Sequence, residues 1–175
     1  DPLDFYTFLE SDPALPDHVR RYRITVPGGT RYLRVAAATL DEGAEDDIDL
    51  YVFCPERSCA DGNEGYASTT TGAVEFVDIY EPLPGEYVID VHGFKTDDVV
   101  GGPGARFEMG TWLIAAAGGA GAPTVAVPAG ATAGGGAEAR LAWAGLEPGL
   151  SHLGLVVFSD GERDLGDTLV EIFSE

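Results

Sequence analysis

From residue 20 to residue 116, apolar and polar side chains exchange places at every second position, in short runs broken by turns. No long segment keeps an i, i+3, i+4, i+7 apolar pattern, and 24 glycines with 11 prolines punctuate the chain. A period of two puts successive side chains on opposite faces of an extended backbone, so these runs predict strands. They read RRYRITVP (20–27), TRYLRVAAATL (30–40), IDLYVFCP (48–55), AVEFVDIYEP (73–82), EYVIDVHGF (86–94) and ARFEMGTWLIAA (105–116). The turn Pro27-Gly28-Gly29 predicts that the first two form a hairpin. In the third, Ile48, Leu50 and Val52 share one face, and Asp49, Tyr51 and Phe53 the other. One wet and one oily face per strand predicts antiparallel sheets over a core. The expected class is all-β, a β-sandwich of jelly-roll type.

The composition changes at AAAGGAGA (115–122), a flexible linker pattern. Beyond it stand four short strand candidates, PTVAVP (123–128), AEARLAWAGL (137–146), SHLGLVVFSDG (151–161) and DTLVEIF (167–173). The expected organisation is an N-terminal linker or edge segment over 1–18, a sandwich over 19–116, and a small β module over 117–175. That module is too short for much independent stability. The opening segment DPLDFYTFLESDPALPDH reads as a piece of a longer or processed protein.

Acidic residues outnumber basic ones 30 to 10, a formal net charge of −20. Such a field repels nucleic acid and anionic lipid, and no apolar run reaches the ~18–20 residues of a membrane helix. Neither nucleic acid nor membrane insertion is expected; cations such as Ca²⁺ and basic partners are favoured. The two cysteines, Cys54 and Cys59, flank Pro55 in a short loop. A local disulfide fits that spacing and, with low lysine, points to a secreted, extracellular protein; the alternative is two free thiols in a cytosolic one. Zinc is disfavoured, because there is no second cysteine pair and His18, His92 and His152 are scattered.

Nothing in the chain reads as an enzyme. There is no G-x-S-x-G elbow, Walker loop or dinucleotide fingerprint. The three histidines read as surface residues, His92 on the wet face opposite Val91. Thirty acids make accidental carboxylate pairs unavoidable, so pairing alone does not argue for glycoside hydrolysis. The acidic run at the mouth of the third strand is more specific. Asp47 and Asp49 point the same way, Asp46 precedes them, and Asp97 and Asp98 form a second cluster. Calcium takes six to eight oxygens from such loops, and like charges this close cost free energy without a cation or full solvation. A structural Ca²⁺ site and simply hydrated acids are both open. Tyr51, Phe53, Tyr66, Phe94 and Trp112 are candidate surface contacts, each also readable as ordinary packing.

VPGGTRYLRVA, DDIDLYVF and VEFVDIYEPLPGEYVIDVHGF together resemble the pre-peptidase C-terminal type of β-sandwich. WAGLEPGLSHLGLVVFSDG and DTLVEI are similar to the last segment of large actinobacterial subtilisin-like serine proteases, where a short fibronectin-like unit follows such a sandwich. The resemblance spans roughly 19–173 and rests on D-x-D-L-Y-V with P-x-P-G-x-Y-x-V-x-V-x-G; the C-x₄-C loop is not part of it. It implies a non-catalytic accessory domain with an upstream peptidase domain in the same chain. Such a domain supports stability, export, or attachment to protein substrate or cell envelope. Some relatives bind calcium, which makes the neighbourhood of Asp46, Asp47 and Asp49 the place to test. The alternative function is a carbohydrate-binding or adhesion module of an extracellular protein.

Overall fold

The computed structural model describes residues 18–40, 46–96, 99–100, 104–115, 123–128, 130 and 134–174. The chain divides into two compact units, Asp1–Leu113 and Ile114–Glu175. Strands dominate, and there is no α-helix among the described residues. In chain order they are β1 (Val19–Val26), β2 (Thr30–Thr39), β3 (Asp47–Phe53), β4 (Gly65–Ser68), β5 (Val74–Tyr80), β6 (Gly85–Thr96), β7 (Val99–Val100), β8 (Phe107–Ala115), β9 (Thr124–Ala126), β10 (Arg140–Ala142), β11 (Ser151–Ser159) and β12 (Asp164–Phe173).

Two sheets make the first unit an antiparallel β-sandwich. One runs β1-β6-β3-β4 with β7 beside β6; the other runs β5-β2-β8. The alternating positions meet between them: Ile48, Leu50 and Val52 of β3 and Tyr87, Ile89 and Val91 of β6 face Leu33, Val35 and Ala37 of β2 and Val77 and Ile79 of β5. Phe107 and Met109 of β8 pack against the same cluster. Fully burying one such side chain is worth roughly 1.5–3 kcal/mol, which fixes the register on the core side.

The expected hairpin at Pro27-Gly28-Gly29 does not form. β1 pairs with β6 from Val19↔His92 to Val26↔Gly85, and β2 pairs with β5 from Tyr32↔Tyr80 to Ala38↔Val74. The turn carries the chain from one sheet to the other, with Thr30 Oγ1 donating to the Pro27 carbonyl at 2.8 Å. Val26 and Leu33 both enter the core, which a crossing between layers allows. Turn residues set where a strand stops, not which strand it pairs with.

The second unit holds two antiparallel pairs, β9 with β10 and β11 with β12. Ser151↔Phe173 through Phe158↔Gly166 run in register before a bulge at Ser159. No described residue from 123 to 174 is buried.

Candidate functional site

β3 lies between β6 and β4, and all seven of its residues are buried. Its outer side, expected to be wet, is therefore covered, and its polar residues must find protein partners there. They do. Asp47 Oδ1 accepts the Gly72 N–H at 3.0 Å while Ile48 N–H reaches the Gly72 carbonyl at 3.2 Å, clamping the β4–β5 loop onto the head of β3. Asp49 Oδ2 lies 3.1 Å from His92 Nδ1 and accepts from the Tyr51 hydroxyl at 3.4 Å. The carboxylate only accepts, so Nδ1 carries the imidazole proton. Burial, and then the Asp49 charge, push the Tyr51 hydroxyl above the usual tyrosine range.

The next row on this face is Arg21–Asp90–Tyr51. The Arg21 fork closes on Asp90 at 2.7 and 2.6 Å, and Asp90 is fully buried. That hydrogen bond is the main reason the guanidinium is held even more firmly in its charged form, against the opposing effect of burial. One row further, Phe53 packs with Val88 and carries the Arg57 guanidinium 4.7 Å above its ring.

One sequence reading is corrected here, and one left open is decided. His92 is not a surface histidine: it is 6% exposed, its ring 5.1 Å from that of His18 and 6.3 Å from that of Phe94. Tyr51 and Phe53 are buried and offer no contact surface. Tyr66 is half-buried against the core, Trp112 half-buried with its ring over Gly110, and Phe94 exposed. The signal for all these is the period of two, which assigns a face but not whether that face is covered.

Cys54 and Cys59 are joined, with sulfurs 2.08 Å and Cα atoms 5.2 Å apart. Their loop borders a groove of about 540 Å³ lined by Arg21, Arg23, Arg57, Phe53, Pro55 and Glu86 among others. Three of the chain's 10 basic residues meet there, but each faces a carboxylate: Asp90, Glu86 and, at 3.7 Å, Glu64. The groove is charge-balanced rather than an anion site.

Of the five expected calcium ligands, Asp46, Asp47 and Asp49 are among the described residues. Among the described residues no three His, Cys, Asp or Glu side chains form a metal-holding group, and Asp47 and Asp49 direct oxygens at protein donors. Asp97 and Asp98 lie outside the described residues. One further acid went unnoticed in the sequence. Glu75, fully buried on the core side of β5, takes hydroxyl donors from Ser68 and, at 2.6 Å, Thr70.

A histidine does meet a serine in the second unit, where His152 Nε2 lies 3.3 Å from Ser174 Oγ. Both atoms also contact the Glu147 carbonyl. With its proton on Nε2 the ring donates to that carbonyl and is not a base for the hydroxyl, which also reaches the Leu150 carbonyl at 3.2 Å. The contact closes the end of the β11–β12 pair. No known protein-family model matches the chain, and no curated protein matches it.

Proposed function

We propose that this chain is a non-catalytic accessory domain of a secreted subtilisin-like serine protease, a pre-peptidase C-terminal type sandwich followed by a small fibronectin-like unit. Its partners would be an upstream peptidase domain of the same chain and a protein substrate or cell-envelope surface. The observation that carries this reading is where the imidazoles stand. His92 is held by Asp49 within a buried structural network, and the His152–Ser174 pair is directed at a main-chain carbonyl. The D-x-D-L-Y-V run supports it as well, because it forms the doubly covered central strand of the sandwich.

Calcium enters this reading only through the acidic loops. An ion there needs Asp47 and Asp49 released from their protein donors, or ligands beyond the described residues. Thermal melts in chelator and in calcium test it, and identical midpoints would remove it. The function itself is tested by fusing the chain behind a subtilisin catalytic domain. The expected result is faster digestion of an insoluble protein, with turnover of a small chromogenic peptide unchanged and no fluorophosphonate label on the chain alone. Label on the isolated chain, or no gain on the insoluble substrate, would overturn the reading.

A further inference from the structure

The two strands of the β11–β12 pair differ sharply in charge. β11 reads SHLGLVVFS, without an acidic or basic residue, while β12 carries Asp164, Asp167 and Glu171. Alternation turns Leu153, Leu155 and Val157 to one face of β11 and Gly154, Val156 and Phe158 to the other, so the strand is apolar on both. A strand of that kind belongs inside a sheet. Yet no residue of β11 or β12 is buried, and Val157 and Phe158 are 38% and 49% exposed. Among the described residues β11 pairs with β12 alone, so no strand lies along its other edge. A two-stranded ribbon by itself is marginal in water and gains stability from further strands.

An open edge invites pairing with another chain, and charged side chains along it discourage that pairing. The other long edges have them: Arg20, Arg21 and Arg23 on β1, Asp78 on β5, Glu108 on β8, and the three acids of β12. Among the described residues, β11 is the one edge strand of more than four residues that carries no charge. Its sequence, rich in Leu, Val and Phe, has a strong preference for extended pairing.

The strand that best matches this edge is a second β11. The −20 field draws basic partners, but toward acids, and on this ribbon the acids stand on β12. Acidic partners are repelled. A second β11 brings no charge to the seam. Antiparallel about a two-fold axis at Leu155, it sets Leu155 against its own copy, Gly154 against Val156, Leu153 against Val157 and His152 against Phe158. Net charge opposes the association of two copies, but only weakly here. Residues 114–175 hold eight acidic and two basic residues, −6 of the −20, and physiological salt screens exposed charges more than about 8 Å apart. The two-fold contact uses the β11 edge of both copies, and the acidic β12 edges end the sheet on either side. We infer that two copies of the chain dimerise by antiparallel pairing of their β11 edges, giving a continuous sheet in the order β12-β11-β11-β12. This dimer is independent of the protease reading.

Sedimentation equilibrium of the full chain over rising concentration, in about 50 and about 500 mM NaCl, tests it. A monomer–dimer equilibrium is expected, tighter at the higher salt because screening relieves the repulsion between two negative molecules. Val157→Glu puts two carboxylates into the shared sheet and should weaken the dimer about tenfold. Val157→Thr, uncharged and of similar shape, should stay dimeric. Leu165→Glu adds the same charge to β12, away from the seam, at a side chain that is 61% exposed, and should change the dimer less than about twofold. In the unaltered chain, amide exchange across 152–158 should slow as concentration rises. A monomer at every concentration and salt, growth past the dimer, equal weakening by Val157→Glu and Leu165→Glu, or exchange across 152–158 that ignores concentration would overturn the inference.

Discussion

Arg21 and Arg23 stand two residues apart on the same face of β1, and each pairs with an acid on β6. Their energetics differ because their acids differ. Asp90 has no exposed side-chain surface, whereas Glu86 and Arg23 are both more than half exposed. Removing Arg21 strands a buried charge; removing Arg23 leaves a carboxylate that water solvates. Arg21→Met is expected to cost about 3 kcal/mol in urea unfolding, and Arg23→Met less than about 1 kcal/mol. Equal losses would show that Asp90 is reached by water. Glu75 follows the same logic: Ser68→Ala removes one of its two hydroxyl donors and should cost about 1–3 kcal/mol. At this scale the sequence was legible only by halves. Period two put Asp49, Asp90 and His92 together on one side of their strands, as found. It could not show that this side is covered, so His92 reads as a surface residue and Asp47 and Asp49 as calcium ligands or hydrated acids.

The elements were more legible than their connections. All six strand runs of the first unit are present, because a core-facing stripe must alternate. The turn at Pro27-Gly28-Gly29 was misassigned because a short Gly-containing loop serves a hairpin and a sheet crossing equally well. The Cys54–Cys59 loop shows how an element boundary is locked. Gly85 opens β6 with φ +145°, and a Cβ there would meet Pro55 Cγ and Cβ at 2.7 and 2.8 Å. Gly85→Ala should therefore lose about 2 kcal/mol or more from combined backbone strain and overpacking. Gly28→Ala, with open space around it, should be nearly neutral. Pro55→Ala in the Gly85→Ala background should recover part of the loss; no recovery would locate the cost in the backbone alone. Replacing both cysteines by serine opens a small loop and should cost about 2 kcal/mol.

Across the whole molecule, buried tyrosines and one ion-paired acid set opposite pH limits. Burial is the largest influence on Tyr32, Tyr51, Tyr66 and Tyr87, and it raises all four; Tyr66, also hydrogen-bonded to Asp61, is pushed up to about 12. A raised folded value means the folded state favours the neutral phenol. That stability is intact below the unfolded value near ~10 and is lost as pH climbs from there through about 12 and beyond. Asp78 works in the other direction. Burial pushes its carboxyl up, but hydrogen bonds from Arg34 and Tyr32 and the Arg34 charge together outweigh burial and hold it below the ordinary range. Its contribution is present above the unfolded value near ~3.9 and disappears as pH falls through the lower folded value. Denaturant midpoints should therefore fall steeply above pH ~10, with tyrosinate absorbance rising together with unfolding rather than ahead of it. Arg34→Met should move the acid-side loss to higher pH, because Asp78 then keeps burial without its cation. An alkaline titration in which most tyrosinate forms while the fold persists would mean that these hydroxyls are open to solvent, and the doubly covered central strand would have to be given up with them.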